Sequence, residues 1–253
     1  MKIIRFSTVT ITGYGILNGD TVQTIEGEPF KEIKTTGESY KLSEVKLLAP
    51  CVPSKIVALG INYRSHAEEM NSRLPEVPLI FLKPPTSVIG PEDNIVYPPS
   101  STQVDFECEL GVVIKEKAWR VSEEDSLNYV LGYTCFNDVT ARDHQSQDRQ
   151  WTRGKGYDTF APTGPCIETE LDPSNAPVST YLNGECKQSS NTSDLIFPVP
   201  VLISFISHVM TLLPGDIIAT GTPSGIGPMQ PGDTVEIRIE PIGTLRNHIV
   251  EQG

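Results

Sequence analysis

Three acids occupy alternate positions in residues 104–114, VDFECELGVVI. Asp105, Glu107 and Glu109 are interleaved with Val104, Phe106, Cys108 and Leu110. Alternate side chains of a strand share a face, so this period predicts a single acidic row. Like charges at that spacing repel. Beyond Leu110 the alternation stops, and Val112, Val113 and Ile114 read as buried on both faces. Carboxylates that lead into a dry interior are unfavourable unless paired. A divalent cation on Glu107 and Glu109 relieves the conflict. A solvated acidic edge is the other reading of the same residues.

Four further groups carry chemistry. His66 and Glu69 stand three apart in a helix expected to begin near Tyr63 behind an Asn62 cap, so they share a face. A carboxylate beside a histidine sets up a base near neutral pH; a surface contact is the plainer alternative. Asp138, Arg142 and Gln145 fall at i, i+4 and i+7 of a helix expected from Thr140, which puts them on one stripe. The competing roles are an N-cap for Asp138 and a solvated face for the other two. Lys155 sits between Gly154 and Gly156, open to close approach. Thr222 lies in TGTPSGIG (220–227), whose N–H groups can cradle a carboxylate; no Lys-Ser/Thr follows, so this is not a Walker loop. Taken together, three carboxylates with open positions suit Mg²⁺ or Mn²⁺.

The elements that must position these groups are mostly strands. The 253 residues, 38% hydrophobic and 21% charged, are enough for a full core without staples. With 20 basic and 32 acidic residues the formal charge is −12, which disfavours nucleic acid and anionic membranes as partners. No apolar run reaches membrane-span length, and the opening residues lack the apolar core of a signal peptide, so a cytoplasmic protein is expected. Five scattered cysteines indicate buried free thiols. Residues 1–50 read as a small β-rich subdomain, a lid or dimer element, with strands at 2–6, 11–17 and 21–26 and a weakly patterned stretch from 27. Prolines near 50–53 separate it from a catalytic domain at 51–253. There, strands are expected at 55–59, 79–82, 128–136, 217–219, 234–239 and 244–250. An apolar helix is expected at 198–213, with His208 structural. Asn18-Gly19 and Asn183-Gly184 signal hairpins. No repeat and no dinucleotide fingerprint is present.

At this point the sequence resembles the fumarylacetoacetate hydrolase family. The likeness rests on GINYRSHAEE (60–69), FLKPP (81–85), DFECELGVVI (105–114), FNDVTARDHQ (136–145), RGKGYDTFAPTGP (153–165), LNGECKQSSNTSDLIFPV (182–199) and GDIIATGTPSGIG (215–227). The resemblance implies an α+β, β-rich fold, a mixed β-roll or sandwich, usually dimeric. It implies a divalent metal on Glu107, Glu109 and Asp138 and a catalytic dyad, His66 and Glu69, on a helix that orders over bound substrate. Lys155 matches the active-site lysine, Arg142 and Gln145 polar active-site positions, Thr222 a substrate contact, and Thr159 a position near the metal shell. The animal hydrolase that names the family carries a substantial N-terminal domain where this chain has about 50 residues. The short form resembles acylpyruvate hydrolases, hydroxyheptadienedioate isomerases and oxaloacetate-acting members.

The expected activity is therefore metal-dependent C–C hydrolysis of small 2-oxo acids through an enolate. Glu69 would orient His66 to activate water, with Lys155 beside the enolate oxygen. The alternative is isomerisation, tautomerisation or decarboxylation of a 2-oxo diacid in the same site. A metal-dependent binding protein without turnover is the third reading, and the His66–Glu69–Lys155 set argues against it. The substrate's tail should meet the polar loop 70–78, where no residue in the sequence dictates its size or charge.

Overall fold

Short apolar runs, most too brief for helices, put the core in sheets. The computed structural model describes residues 1–253 and is α+β and β-rich. Its largest sheet runs Thr35–Lys41, Thr21–Ile25, Thr12–Asn18, Lys2–Ser7, Ala161–Glu168, Val130–Asn137, Cys108–Ile114, Ile217–Ala219, Ile56–Leu59 and Ile80–Lys83 in spatial order, with Lys46–Leu48 and Val88–Ile89 attached at its side. A five-stranded sheet of Glu185–Asn191, Pro177–Leu182, Thr234–Ile239, Gly243–Glu251 and Asn94–Tyr97 supplies a second layer. The main core joins Leu110, Val112 and Cys135 of the large sheet to Val178, Ile237 and Leu245 of the five-stranded one. Helix Val199–Val209 adds Leu202, Ile203 and Ile206 to that core. A second cluster, including Val113, Phe136 and Ile217, covers the opposite face. Because both faces are covered, strand Cys108–Ile114 is buried along its whole length. No helix is long and apolar enough to cross a membrane.

The structure changes several local expectations. The acidic stretch is two strands, not one. Val104–Phe106 belongs to a small sheet with Thr140–Ala141 and Gly227–Met229, whereas Cys108–Ile114 belongs to the large sheet. The chain changes sheets at Glu107, whose N–H donates to Asn137 Oδ1 (3.0 Å). A period-two reading cannot see such a switch, because the alternation continues through it. Nor is the row a solvated edge, since Asp105, Glu107 and Glu109 are 2%, 5% and 0% exposed. The helix expected from Thr140 starts at Arg142. Pairing with Val104 and Asp105 claims Thr140 and Ala141 for the small sheet, so Asp138 is neither helical nor a cap. Asn62 does not cap its helix either. Its buried amide donates to Thr220 O (2.7 Å) and Phe197 O (3.2 Å) and accepts from Phe197 N (2.9 Å), tying three segments together.

Residues 27–50 contain strands Thr35–Lys41 and Lys46–Leu48; the first is an exposed edge strand, so it has no apolar pattern. The N-terminal strands extend the large sheet through the pairs Lys2–Glu168 and Ile3–Ile167. The expected 198–213 helix ends at Val209, because Leu212 pairs with Ala118 instead. Both Asn-Gly turns form hairpins, with positive φ at Gly19, Asn183 and Gly184. Four cysteines are buried and free, while Cys186 is exposed.

Candidate active site

The change of sheets at Glu107 brings three acids together. Carboxylate oxygens of Glu107, Glu109 and Asp138, all buried, lie within 4.8 Å of one another. Asp138 reaches this point from the end of strand Val130–Asn137, hydrogen-bonded neighbour of Cys108–Ile114. Three carboxylates so close require positive charge, and the chain supplies it unevenly. Lys155 Nζ bridges Glu107 Oε2 (2.8 Å) and Asp138 Oδ2 (2.6 Å). Lys83 Nζ, fully buried, donates to Asp138 Oδ1 (2.5 Å) and Val139 O (3.1 Å). Arg142 spans Asp105 Oδ2 (2.9 Å) and Glu107 Oε1 (2.6 Å), with a third bond to Gln145 Oε1 (2.6 Å). Glu109 has no cation. Its Oε2 accepts the Gly221 N–H (2.7 Å), and its Oε1 is buried with no partner.

These differences set the ionisation of the cluster. Burial resists ionisation of Glu107, but the Lys155 ammonium and Arg142 guanidinium outweigh it and hold the carboxyl at about 2. Burial, reinforced by the charges of Asp138 and Glu107, pushes Glu109 well above the usual carboxylate range. Burial lowers Lys83, with Asp138 opposing. For Lys155 burial is outweighed by Asp138 and Glu107, so its ammonium is strengthened. An all-oxygen set in which one carboxyl, Glu109, has an orphaned buried oxygen and no cation to favour its ionisation fits a hard divalent cation.

The second half of the site is the short helix Arg64–Glu69. His66 Nδ1 lies 2.9 Å from Glu69 Oε2, and Glu69 Oε1 accepts the Gly225 N–H (2.8 Å). The helix is fastened by Arg64 Nη1 to Leu195 O (2.8 Å) and by Ser65 N to Asp194 Oδ2 (3.0 Å). His66, Glu107, Arg142, Gln145, Lys155 and Thr222 all line one cavity of about 560 Å³. Glu69, Glu109 and Asp138 do not line it. They connect to it through His66, through the shared cluster, and through Lys155. Thr159 does not join the group, because its Oγ1 accepts the Val96 N–H (2.9 Å).

Gly154 explains the placing of Lys155. A Cβ there would lie 2.8 Å from the backbone nitrogen of Gln145, so the glycine lets helix Thr152–Lys155 press against helix Arg142–Gln147. The glycine serves this backbone contact as well as the lysine's approach.

Reading of the sequence missed two buried polar residues of this site. Lys83 ends a buried strand ahead of Pro84-Pro85, and a lysine there is the one visible signal. Gln188 accepts from Cys108 N (3.0 Å) and Thr180 Oγ1 (2.7 Å) and donates to Thr222 Oγ1 and Pro223 O (both 2.9 Å). It locks the Thr222 loop to the strand that carries Glu109. A glutamine in an otherwise exposed hairpin strand gives no such hint.

A β-rich fold that buries an acidic triad beside a lysine and a histidine–carboxylate pair defines a class of enzyme, and comparison places the chain in it. Residues 55–250 match the family described as Fumarylacetoacetate (FAA) hydrolase C-terminal, and residues 1–50 match Rv2993c-like, N-terminal. The chain belongs to the fumarylacetoacetate hydrolase family of enzymes. An uncharacterized protein of Archaeoglobus fulgidus is 55% identical over 215 residues, 85% of this chain and 86% of that one. Oxaloacetate tautomerase YisK of Bacillus subtilis is 46% identical over 225 residues, 83% of this chain and 75% of its own. The crystal structure of 5-carboxymethyl-2-hydroxymuconate delta-isomerase from Mycobacterium smegmatis superposes with a TM-score of 0.95 at 43% identity, covering 100% of both chains.

Proposed function

We propose that this enzyme moves a proton at the carbon beside the carbonyl of a small 2-oxo acid, with a divalent ion, Mg²⁺ or Mn²⁺, on Glu107, Glu109 and Asp138. The observation that carries the reading is the meeting of His66 with Lys155 and Glu107 in one cavity. When bound, the ion would supply Lewis-acid stabilisation of negative charge on substrate oxygens. The rest is the work of the chain. Glu69 would accept a hydrogen bond from His66 Nδ1–H, the tautomer that leaves the Nε2 lone pair free as the base. Nε2 removes the proton from the carbon. The C–H electrons become the new C=C bond, and the carbonyl oxygen takes the charge. The Lys155 ammonium stabilises that charge. Return of the proton to oxygen, or to a more distant carbon, completes tautomerisation or isomerisation. Arg142, Gln145 and Thr222 orient the substrate's carboxylate. A tautomerase and a delta-isomerase among the relatives support this class of reaction.

Acylpyruvate-type hydrolysis is the second reading. A cavity of about 560 Å³ holds a small 2-oxo acid and several waters of about 30 Å³ each. There His66 would take a proton from water, the hydroxide would attack the distal carbonyl, and the C–C bond beside that carbonyl would break with its electrons passing into the pyruvate enolate, which is then protonated. Assembly as a homodimer belongs to the same proposal: Ile80–Lys83 is one of the two edge strands of the large sheet, and Leu74, Val77, Leu79 and Leu82 on and just before it are exposed.

The test is incubation with Mg²⁺ or Mn²⁺ and either oxaloacetate or acetylpyruvate. Enol–keto interconversion of oxaloacetate faster than in buffer, with no cleavage of acetylpyruvate, is expected. Cleavage of acetylpyruvate would favour the second reading, and neither reaction with either metal would contradict both.

A further inference from the structure

The cations of the cavity are unequally committed. Lys155 and Arg142 are bonded to carboxylates of the acidic cluster. Arg73, on the irregular segment after helix Arg64–Glu69, lines the same cavity and makes no ion pair or hydrogen bond. Nearby acids do not serve it. Glu69 is held by His66 and Gly225, and Glu76 does not reach it. Three cations thus line the cavity against one carboxylate, Glu107, in a chain whose formal charge is −12. The chain neighbours of Arg73 that share the lining, Met70, Ser72 and Pro75, are uncharged. Arg73 is exposed at the rim of the cavity, and a guanidinium placed there with no internal anion is matched by an anion that arrives with the ligand. A carboxylate suits it best, through two parallel hydrogen bonds.

We infer that Arg73 is a specificity-determining residue that receives a second, distal carboxylate, so that 2-oxo dicarboxylates bind in preference to 2-oxo monocarboxylates of equal length. The inference rests on the reading of the site as one for 2-oxo acids. It gives the tail-contacting loop the charge preference that its sequence does not announce. Lys155 and Arg142 serve the end of the substrate that reacts, and Arg73 serves the end that does not.

Calorimetric titration of the Mg²⁺-supplemented protein tests it with two matched pairs, 2-oxoglutarate against 2-oxopentanoate and 2-oxoadipate against 2-oxohexanoate, with oxalate as reference. The diacid of at least one pair should bind about tenfold or more tighter than its monoacid, the scale of one charge-assisted contact. Arg73→Met should bring that ratio to within about twofold, and Arg73→Lys should keep part of it. Oxalate binding by both variants shows that the site is folded. Matched affinities in the wild-type protein, or a diacid preference that survives Arg73→Met, would overturn the role of Arg73 while leaving the 2-oxo acid reading intact. If neither oxalate nor any 2-oxo acid bound, that reading would fail and take this one with it.

Discussion

Glu107 and Glu109 are two residues apart yet are held in opposite states. The first has two cations and stays ionised; the second has none and is driven toward the protonated form. The sign of the consequence differs for each. A carboxyl raised above its ordinary value of 4.5 contributes most to stability below that pH, and the contribution is lost as pH rises through the folded-state value. Metal-free Glu109→Gln should therefore equal or exceed the metal-free parent in melting temperature at pH 8, while Mn²⁺ affinity falls by about 100-fold or more. Parental Mn²⁺ affinity in that variant would remove Glu109 from the ligand set. In the parent, Mn²⁺ affinity should rise with pH as Glu109 surrenders its proton. Glu107, lowered to about 2, acts the other way: its stabilisation is present above 4.5 and is lost as pH falls toward 2. Lys83→Met leaves Asp138 Oδ1 buried without its partner and should destabilise the fold by about 3 kcal/mol in urea denaturation. A loss below about 1 kcal/mol would mean that Lys155 alone satisfies Asp138.

At the scale of elements, the site depends on two short helices lying where strands deliver them. Gly154→Ala places a methyl against the Gln145 backbone and should shift Lys155 away from the cluster. A tenfold or larger drop in kcat, at about that order because small misplacements are costly, is expected with an unchanged circular dichroism spectrum. Much of this layer was legible. Strand cores at 56–59, 217–219 and 234–239 and both Asn-Gly hairpins follow from local pattern, because burial and turn chemistry there are local. Local pattern alone reads Asp138 and Asn62 as caps, and the resemblance, not the pattern, assigns Asp138 to the acidic cluster. Each occupies a position where a cap is the usual role, and each instead serves a segment more than 50 residues away. The break at Glu107 was hidden for a related reason, since strand period is unaltered when a chain passes from one sheet to another.

For the whole molecule, the acidic cluster gathers three buried carboxylates at the junction of two sheets. Binding of an ion there should stabilise the native fold by mass action, roughly 2.7 kcal/mol at a hundredfold excess over Kd. For a chain of this size that corresponds to a melting shift of roughly 5–10 °C, reversed by EDTA and absent in Glu109→Gln. The motifs at 60–69, 105–114 and 136–145 hold His66, Glu107, Arg142 and Gln145, which line one cavity, and Glu109 and Asp138, which cluster with Glu107. Lys83 and Gln188 lie inside the motifs at 81–85 and 182–199, but their bonds to Asp138 and Thr222, like the placing of Arg73 at the cavity, come from tertiary packing that no local pattern reports. The measurement closest to the central claim is exchange of the hydrogens beside the carbonyl of 2-oxobutanoate for deuterium, followed by proton NMR in D₂O with Mg²⁺. The parent should accelerate exchange over buffer, and His66→Ala should lose about 100-fold or more of that acceleration. Exchange by His66→Ala at the parental rate, or none by the parent, would contradict the account.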